Sequence, residues 1–415
     1  MTMVTGRNPM RPKIAFCHIH KTAGTTVSQY LRGNYPPNEI FPVDGVHVVT
    51  QGLINKINDY SLILGHFPLS FLRAFLTSDW KIFTVLRDPL ARFVSHIAYN
   101  HQLNQEASGE RGDLRLDDYA QDITVFADFQ TKFLGAWLSG AEWRYLVASR
   151  KISIYHFTDL WNRGGLPAAY RIATEELAQL DFVLDMSDVE GGLRRIAVDC
   201  QLWPFDTLPV DNKGRYTGSD AAMESGALEK LAVERNRFDA RLLQEAKPHI
   251  ATAPSPQEYA AYCARWMAQF EPSSVCIAAS DHMFLGTGWY GPNHAADGAG
   301  FYWSKTNMDQ HLYLPITEPG VYEIELSLYL PDRQPGFTIA LTYEGNRTDP
   351  LTTNESGDLL YPVFRLPAPV LDVRRLQKIQ IHSDCSTQNR KPKPGQLQDV
   401  GFVISGAMAR RVSGS

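Results

Sequence analysis

Short apolar runs alternate with longer amphipathic segments over the first 250 positions of the chain. Residues 13–17, 61–64 and 81–86 are apolar runs of the length expected for buried strands, as are residues 151–155. Helical spacing of apolar residues predicts helices over the following ranges: 89–103, 118–138, 190–200 and 227–246. Strands separated by helices are typical of a parallel sheet covered on both faces, so we expect an α/β fold in this part.

The pattern changes after about residue 270, where alternation of apolar and polar residues replaces helical spacing. Residues 320–330 give the clearest alternation, and shorter strands are predicted over residues 337–343, 359–364, 376–381 and 400–405. Glycine and proline turn signals separate these strands, which is typical of an all-β sandwich. We therefore predict two domains, residues 1–265 and residues 280–412, with the boundary within residues 262–285.

The first apolar run leads directly into a segment with the composition of an anion-binding loop, H-K-T-A-G-T-T over residues 20–26. Small residues allow backbone N–H groups to approach an anion, and the start of the following helix adds partial positive charge. Lys21 supplies a full charge. The order differs from the G-x-x-x-x-G-K-[ST] loop of ATPases because Lys21 precedes Gly24. No strand clearly ends in an aspartate suited to Mg²⁺, so we expect a phosphate-like group handled without a metal ion.

A second candidate anion motif spans residues 81–95, which read K-I-F-T-V-L-R-D-P-L-A-R-F-V-S. Arg87 ends the predicted strand, at the edge where open α/β sheets bind ligands. Asp88 can cap a helix that begins at Pro89, and Ser95 follows about two turns later. A guanidinium fork and a hydroxyl suit a phosphate. The alternative is an ion pair between Arg87 and a carboxylate such as Asp88.

Together, the two motifs resemble those of sulfotransferases that use 3′-phosphoadenosine 5′-phosphosulfate as donor. The closer resemblance is to the carbohydrate branch that contains heparan sulfate 2-O-sulfotransferase and many bacterial relatives. It covers about residues 12–250 and implies a P-loop-like parallel sheet flanked by helices. The sequence departs from many family members at His20, where they have proline before the lysine.

The resemblance implies a role for each matching residue. Six residues would hold the 5′-phosphosulfate: Lys21, Thr22, Ala23, Gly24, Thr25 and Thr26. Arg87 and Ser95 would hold the 3′-phosphate, and residues 208–216 resemble a loop that closes over the nucleotide through an asparagine, here Asn212. The implied product is 3′-phosphoadenosine 5′-phosphate, and no metal ion is implied.

Sulfuryl transfer to an alcohol needs a base beside the hydroxyl and a positive group beside the leaving phosphate oxygen. Histidine suits the first task at neutral pH, and Lys21 suits the second. His66 ends the apolar segment S-L-I-L-G-H and resembles the histidine that carries the base in the family. We therefore predict His66 and Lys21 as the catalytic residues. His18 and His20, which flank the lysine segment, are the rival bases.

Composition limits the partners and the compartment. The 415 residues carry a net charge of −5, which disfavours a general nucleic-acid binder. The five cysteines are scattered, without the spacing of a disulfide framework or a zinc site. No apolar stretch approaches the ~20 residues of a membrane span, and the first residues lack a secretory signal. We expect a bacterial cytoplasmic protein, or one peripheral to the inner membrane; the sequence leaves its oligomeric state open.

The leading functional prediction is a sulfotransferase that acts on a hydroxyl of a carbohydrate or glycolipid acceptor. Two alternatives stay open at this point: a P-loop-type nucleotide or sugar kinase, and a catalytically inactive glycan-binding protein. Aromatic residues within 289–303 would either bind sugars in the C-terminal module or fill its core.

Overall fold

The structure is a computed structural model. It describes residues 11–35, 37–108, 119–149, 165–205, 208, 226–268, 274–278, 293–294, 300–305, 310–330, 337–356, 359–371, 377–383 and 400–412. The predicted strand at residues 151–155, Asn212 and residues 279–292 lie outside this part of the chain.

A four-stranded parallel sheet forms the centre of the N-terminal part, in the order β2-β1-β3-β4. Its strands are β1 (Lys13–Cys17), β2 (Leu62–Gly65), β3 (Trp80–Leu86) and β4 (Phe182–Asp185). Ile14 and Phe16 of β1 belong to one hydrophobic cluster, whereas Ala15 and Cys17 belong to another. Since neighbouring residues of a strand point to opposite faces, both faces of the sheet are buried, as predicted.

Helices cover these faces. Among the described residues they are α1 (Gly24–Arg32), α2 (Gln51–Asn55), α3 (Leu69–Phe75), α4 (Pro89–Ser108), α5 (Ala120–Phe126), α6 (Phe129–Gly135), α7 (Gly140–Ser149), α8 (Gly165–Leu177), α9 (Val189–Cys200), α10 (Ala227–Arg235), α11 (Arg237–Ala246) and α12 (Pro256–Met267). Short 3₁₀ turns lie at Pro37–Glu39, Val46–Val48, Ile57–Asp59, Met186–Asp188 and Lys247–His249.

Two of the predicted helices are each divided in two by a buried polar residue. The helix expected over residues 118–138 separates into α5 and α6 at Asp128, whose φ is 47°. The helix expected over residues 227–246 separates into α10 and α11 at Asn236. Apolar spacing alone does not reveal these breaks, because their cause is hydrogen bonding between the two pairs of helices.

The C-terminal part consists of antiparallel strands. They are β5 (Ser274–Ala278), β6 (Asn293–His294), β7 (Gly300–Lys305), β8 (Gln310–Leu314), β9 (Tyr322–Tyr329), β10 (Ile339–Tyr343), β11 (Asn346–Thr348), β12 (Thr352–Ser356), β13 (Leu359–Arg365), β14 (Gln377–Ser383) and β15 (Val400–Arg411). One sheet has the order β11-β10-β14-β8, and the other has β12-β13-β9-β15-β7-β6, with β5 also paired to β15.

Apolar residues of both antiparallel sheets share one hydrophobic cluster, as in a sandwich. The same cluster continues into the N-terminal part through Trp203, Tyr262 and Met267. The rings of Trp203 and Tyr313 meet there, with centroids 6.0 Å apart. The parallel and antiparallel parts are therefore packed against each other through a common apolar core.

Candidate active site

The loop between β1 and α1 takes a conformation that is costly for its residues. Lys21 and Ala23 have φ values of 68° and 63°, in the left-handed region that favours glycine. Two hydrogen bonds hold the loop in this shape. Thr22 Oγ1 donates to the Ile19 carbonyl at 2.8 Å, and Arg87 Nη1 donates to the Lys21 carbonyl at 2.9 Å. The loop shape therefore depends on both predicted anion motifs.

The start of α1 offers backbone donors beside this loop. Ala23 is the N-cap residue, and the first backbone bond of the helix runs from Val27 N–H to the Ala23 carbonyl at 3.2 Å. The N–H groups of Gly24, Thr25 and Thr26 lie in the first turn, where a helix provides no acceptor of its own. With the helix dipole, they form a suitable site for an anion. The Thr22 hydroxyl, by contrast, is buried and donates within the loop.

Gly24 has a second reason to lack a side chain. A Cβ atom at this position would lie 1.7 Å from Nε2 of His18. The glycine therefore makes room for the half-buried imidazole of His18 as well as for an anion. The sequence pattern indicated only the role in anion binding.

Arg87 directly follows β3, and Ser95 lies in the helix that comes next, α4. Arg87 is half-buried, and both of its backbone groups bond to the side chain of Gln130 at 2.9 Å. Ser95 lies on α4, four residues before Tyr99, so both occupy one helix face. Lys21 Nζ lies 4.1 Å from the centroid of the Tyr99 ring. This cation–π contact brings the lysine to the face of α4 that carries Ser95.

His66 directly follows β2 and is held by its backbone. Gly65 has a φ of 137°, and a Cβ atom there would lie 2.1 Å from the Asp44 carbonyl oxygen. The glycine allows the segment around Asp44 to pass close by, and His66 N–H donates to that carbonyl at 2.7 Å. Glycine is therefore required before His66, because a side chain at position 65 would collide with the Asp44 carbonyl.

The His66 ring has a defined tautomer. Its Nδ1 lies 2.9 Å from the His18 carbonyl oxygen. A carbonyl can only accept, so Nδ1 carries the proton in the neutral ring and Nε2 has a lone pair. A neutral imidazole with Nε2 available is suited to accept a proton from a hydroxyl group.

Four histidines gather around this point. The ring of His66 stacks on His20 at 3.6 Å and on His18 at 4.2 Å between centroids. The His96 ring stands edge-on to His20 at 5.9 Å and packs against Phe126 at 3.5 Å. Neither ring nitrogen of His96 has a hydrogen-bond partner. The sequence indicated three of these histidines individually, but not their stacking.

Burial keeps the four rings neutral. It lowers the pKa of His66 below 6.5, and it lowers the pKa values of His18, His20 and His96 well below that value. Repulsion adds to the effect, because protonation of one ring disfavours protonation of the next. Lys21 adds to it at His18 and His96, and Arg92 adds to it at His20 and His96. All four rings are bases rather than cations at neutral pH.

A buried polar network supports the far side of the site. Asp128 Oδ1 accepts from the N–H groups of Phe238 and Asp239 at 2.8 and 2.9 Å, at the start of α11. Asp239 accepts from the N–H groups of Gln130 and Thr131 at 3.1 and 2.7 Å, at the start of α6. Each carboxylate therefore caps the helix of the other.

Arg92 lies inside this network without any exposed surface. Its Nε is 3.8 Å from Asp239 Oδ2, and its Nη2 donates to the Phe126 carbonyl. Burial lowers the pKa of Arg92 to about 10, so it keeps its charge at neutral pH. Of the two arginines in the second motif, Arg92 therefore supports the structure, whereas Arg87 bonds to the first loop.

Within the described ranges, no group of three or more His, Cys, Asp or Glu side chains is arranged to hold a metal ion. In the same part of the chain, none of the helices combines the length and apolar character needed to cross a membrane.

A family model described as the sulfotransferase family matches residues 8–132. This range contains both anion motifs and His66. The match confirms the expected resemblance at the level of the family, and it supports sulfuryl transfer in general as the chemistry of this part of the chain. Comparison with curated protein sequences gave no match.

Among solved structures, the chain is similar to two carbohydrate-binding modules. One is the C-terminal CBM6 of LamC from Zobellia galactanivorans, with 10% identity over 33% of this chain and 99% of that chain and a TM-score of 0.22. The other is CBM6cm-2 from Cellvibrio mixtus lichenase 5A, with 12% identity over 33% of this chain and 97% of that chain and a TM-score of 0.22. A third similar structure is Eiger TNF from S. frugiperda, with 10% identity over 35% and 89% of the two chains and a TM-score of 0.15.

Proposed function

We propose that this protein transfers a sulfuryl group from 3′-phosphoadenosine 5′-phosphosulfate to a hydroxyl of a carbohydrate or glycolipid acceptor. One observation carries the proposal: the loop that contains Lys21, the side chain of Arg87 and the neutral ring of His66 meet at one edge of the parallel sheet. Arg87 Nη1 bonds to the carbonyl of Lys21, and His66 stacks on His20, the residue before Lys21.

The first loop and α1 hold the 5′ end of the donor. Lys21 contributes an ammonium group, the first turn of α1 contributes backbone N–H groups, and Thr25 and Thr26 contribute hydroxyls near the helix start. Arg87 and Ser95 hold the 3′-phosphate, for which a guanidinium and a hydroxyl are suitable donors. Asn212, outside the described residues, closes over the nucleotide in this proposal.

The donor supplies an electrophilic sulfur on a phosphate leaving group. His66 Nε2 accepts the proton of the acceptor hydroxyl while that oxygen forms its bond to sulfur. The bond between sulfur and the phosphate oxygen breaks, and Lys21 stabilises the negative charge that develops on that oxygen. The proton ends on His66, and the nucleotide product leaves with its two phosphate groups. No step calls on a metal ion.

Residues 1–265 form the catalytic domain in this proposal, and residues 280–412 form an accessory domain that orients the acceptor. Support for a carbohydrate acceptor comes from the resemblance to the heparan sulfate branch in the two motifs. The apolar core that joins the two parts near Trp203 would keep such an accessory domain in a constant position beside the catalytic one.

The direct test is incubation of the full chain with radiolabelled phosphosulfate donor and a panel of bacterial glycans and glycolipids. Transfer of label to a glycan in the presence of a chelator supports the proposal. Transfer of phosphate from Mg²⁺-ATP, without any sulfate transfer, would replace it with the kinase alternative. Glycan binding without nucleotide affinity would identify a non-catalytic binding protein.

Two substitutions test the assignment of the anion motifs. Lys21→Ala and Arg87→Ala should each weaken binding of 3′-phosphoadenosine 5′-phosphate by about ten- to hundredfold, since a hydrogen bond to a charged group contributes ~1.5–3 kcal/mol. Arg87→Ala should also lose the preference for a 3′-phosphate, whereas Lys21→Ala should lose turnover too. Calorimetry with both nucleotides measures this, and the exposed substitution Lys230→Ala is the control. Unchanged affinity in both variants would refute the assignment.

A further inference from the structure

The side-chain amide of Gln130, on α6, bonds to the backbone of Arg87 in the second anion motif. Its side-chain oxygen accepts from Arg87 N–H at 2.9 Å, and its side-chain nitrogen donates to the Arg87 carbonyl at 2.9 Å. The amide thus bonds to both backbone groups of one residue, directly after β3 ends at Leu86. Both backbone torsions of Arg87 are constrained by this pair of bonds.

Gln130 is itself held in place. Its side chain is 1% exposed, and its backbone N–H donates to Asp239 Oδ2 at 3.1 Å. Asp239 is fully buried and also accepts from Thr131 N–H at 2.7 Å. A side chain fixed in this manner sets the position of the Arg87 backbone, because both backbone groups of Arg87 bond to it.

The guanidinium of Arg87 reaches the first loop from this fixed base. Its Nη1 donates to the Lys21 carbonyl at 2.9 Å, at a residue with a φ of 68°. A continuous hydrogen-bonded path therefore runs from Asp239 on α11 through Gln130 on α6 and Arg87 to Lys21. It joins the two anion motifs to each other and to α11.

We infer that Gln130 is a positioning residue, which sets the direction of Arg87 and thereby the recognition of the 3′-phosphate. This inference rests on the proposed function, because it takes Arg87 to be the ligand of that phosphate. Gln130 touches neither substrate in this assignment and acts only through Arg87. No sequence motif marks it, since it lies 43 residues from Arg87 along the chain.

The test uses Gln130→Met, which keeps the length of the side chain and removes both hydrogen bonds. The matched control is Thr131→Val on the same helix. Thr131 is as deeply buried, and its N–H bonds to the same carboxylate, but its hydroxyl has no hydrogen-bond partner. Calorimetry on the full chain measures affinity for adenosine 3′,5′-bisphosphate and for adenosine 5′-phosphate, and thermal denaturation checks that each variant is folded.

Gln130→Met should weaken binding of the bisphosphate by roughly ten- to thirtyfold, as expected for the loss of two neutral hydrogen bonds. Binding of the monophosphate should change less than threefold, on the order of the scatter between independent sites. Thr131→Val should change neither affinity. In the Arg87→Ala background, Gln130→Met should have little further effect, because a residue that acts only through Arg87 cannot act without it.

The contrary outcomes have different meanings. If Arg87→Ala reduces the preference for the bisphosphate but Gln130→Met does not, or if the two effects add fully in the double variant, Gln130 does not position Arg87. If Arg87→Ala leaves the preference unchanged, the assignment of the 3′-phosphate is wrong, and the inference about Gln130 fails with it. Equal losses for both nucleotides in Gln130→Met would show a general loosening of the fold and would also overturn the inference.

Discussion

His66 combines a fixed tautomer with a lowered pKa, and both are consequences of where the chain places its ring. The His18 carbonyl accepts from Nδ1, which leaves Nε2 unprotonated, and burial keeps the ring neutral. A buried imidazole that is neutral at pH 7 is ready to accept a proton.

His66→Ala should reduce turnover by roughly 10²–10⁴-fold, the usual contribution of a positioned base. Affinity for the nucleotide should be nearly unchanged, because His66 is assigned to the acceptor. Because the pKa of His66 is lowered from 6.5, kcat/KM should be constant through neutral pH. It should fall only below about pH 6.5. The exposed substitution His249→Ala is the control. A variant that lacks His66 and keeps normal turnover would exclude it as the base.

His20 provides a flat aromatic surface for His66. The two rings are nearly parallel, at 7° and 3.6 Å, and Phe129 supports His20 from its edge at 5.6 Å. His20→Phe should therefore keep turnover within a few-fold. His20→Ala should reduce turnover by about tenfold, in line with the sensitivity of catalysis to small misplacements.

The pH profile distinguishes the two roles of His20. His20→Ala admits water to the His66 ring, so the pKa of His66 should rise toward its usual value and the acid limb of kcat/KM should move to higher pH. His20→Phe should leave the limb in place. If His20→Phe abolishes turnover while nucleotide binding is intact, His20 rather than His66 is the base.

At the scale of helices, the reciprocal caps of α6 and α11 explain why two predicted helices are broken. Asp128, at the start of α6, accepts from N–H groups of α11, and Asp239, in the first turn of α11, accepts from N–H groups of α6. Asn236 adds a third link, since its Oδ1 accepts from Asp128 N–H at 3.1 Å. The breaks place Gln130 beside Arg87, and the site depends on them for that reason.

The two aspartates should contribute differently to stability. Asp239→Ala leaves Arg92 buried without its carboxylate and should lower the free energy of unfolding by about 3–5 kcal/mol. Asp128→Ala should lower it by only about 1–2 kcal/mol, because the loss of two capping bonds is partly offset by relief of repulsion. Burial and the neighbouring charge of Asp239 raise the pKa of Asp128 to about 6.

Urea denaturation at pH 7 measures this difference. Thr50→Ala is a suitable reference, because Thr50 is exposed and its hydroxyl caps α2 by accepting from Leu53 N–H at 3.3 Å. It should lower the free energy of unfolding by about 1 kcal/mol. If both aspartate variants lose the same free energy of unfolding, the buried charge of Arg92 does not need the carboxylate of Asp239 for its stabilisation.

For the molecule as a whole, the neutral histidine cluster predicts sensitivity to acid. In the unfolded chain the four histidines bind protons near pH 6.5, but in the folded state burial lowers the pKa of each one. The unfolded state therefore takes up protons first, and the free energy of unfolding falls as the pH drops below about 6.5. Each histidine contributes up to about 1.4 kcal/mol per pH unit. Asp128 opposes them below about pH 6, because its raised pKa favours the folded state there.

Urea denaturation at pH 7.5, 6.5 and 5.5 tests this expectation. His96→Phe should make the free energy of unfolding fall less steeply with decreasing pH, by up to about 1.4 kcal/mol per pH unit. The reason is that His96 is 3% exposed and neither of its ring nitrogens is hydrogen-bonded. His249→Gln, at an exposed position, should leave the slope unchanged. Stability that does not fall between pH 7.5 and 5.5 would show that the cluster opens to water and accepts protons without cost.

The shared apolar core also bears on the proposed two-domain division. Trp203 packs against Tyr313, and Asn34 of the N-terminal part accepts from Trp203 N–H at 2.8 Å. The first antiparallel strand, β5, pairs with the last, β15. The antiparallel part thus includes residues 274–278, which precede the predicted start at residue 280 but lie within the predicted boundary range of residues 262–285. The division into two domains stays a prediction.

Much of this architecture was predictable because its signals are local. Buried strands such as Lys13–Cys17 are continuous apolar runs, and their lengths alone separate them from helices. The two anion motifs follow strand ends directly, so a parallel sheet must bring them to the same edge. The apolar pattern did not predict α2, α3, α7, α8 or α12. Of these, α2 and α3 have only five and seven residues, too few for a helical period to show in the sequence.

The sequence alone determined the parallel and antiparallel parts, the positions of Arg87 and His66 directly after strands, and the position of Lys21 in the loop after β1. The phosphate-like ligand that these residues favour stays a prediction. The tertiary structure decided which side chains hold those residues in place. Gln130 meets Arg87 across 43 positions, and Asp239 caps a helix that lies 108 positions away. The periodicity of apolar residues carries information only about residues that lie within a few positions of each other along the chain. Contacts over such separations exist only after the helices have packed on the sheet, and the stacking of His18, His20 and His66 has the same origin.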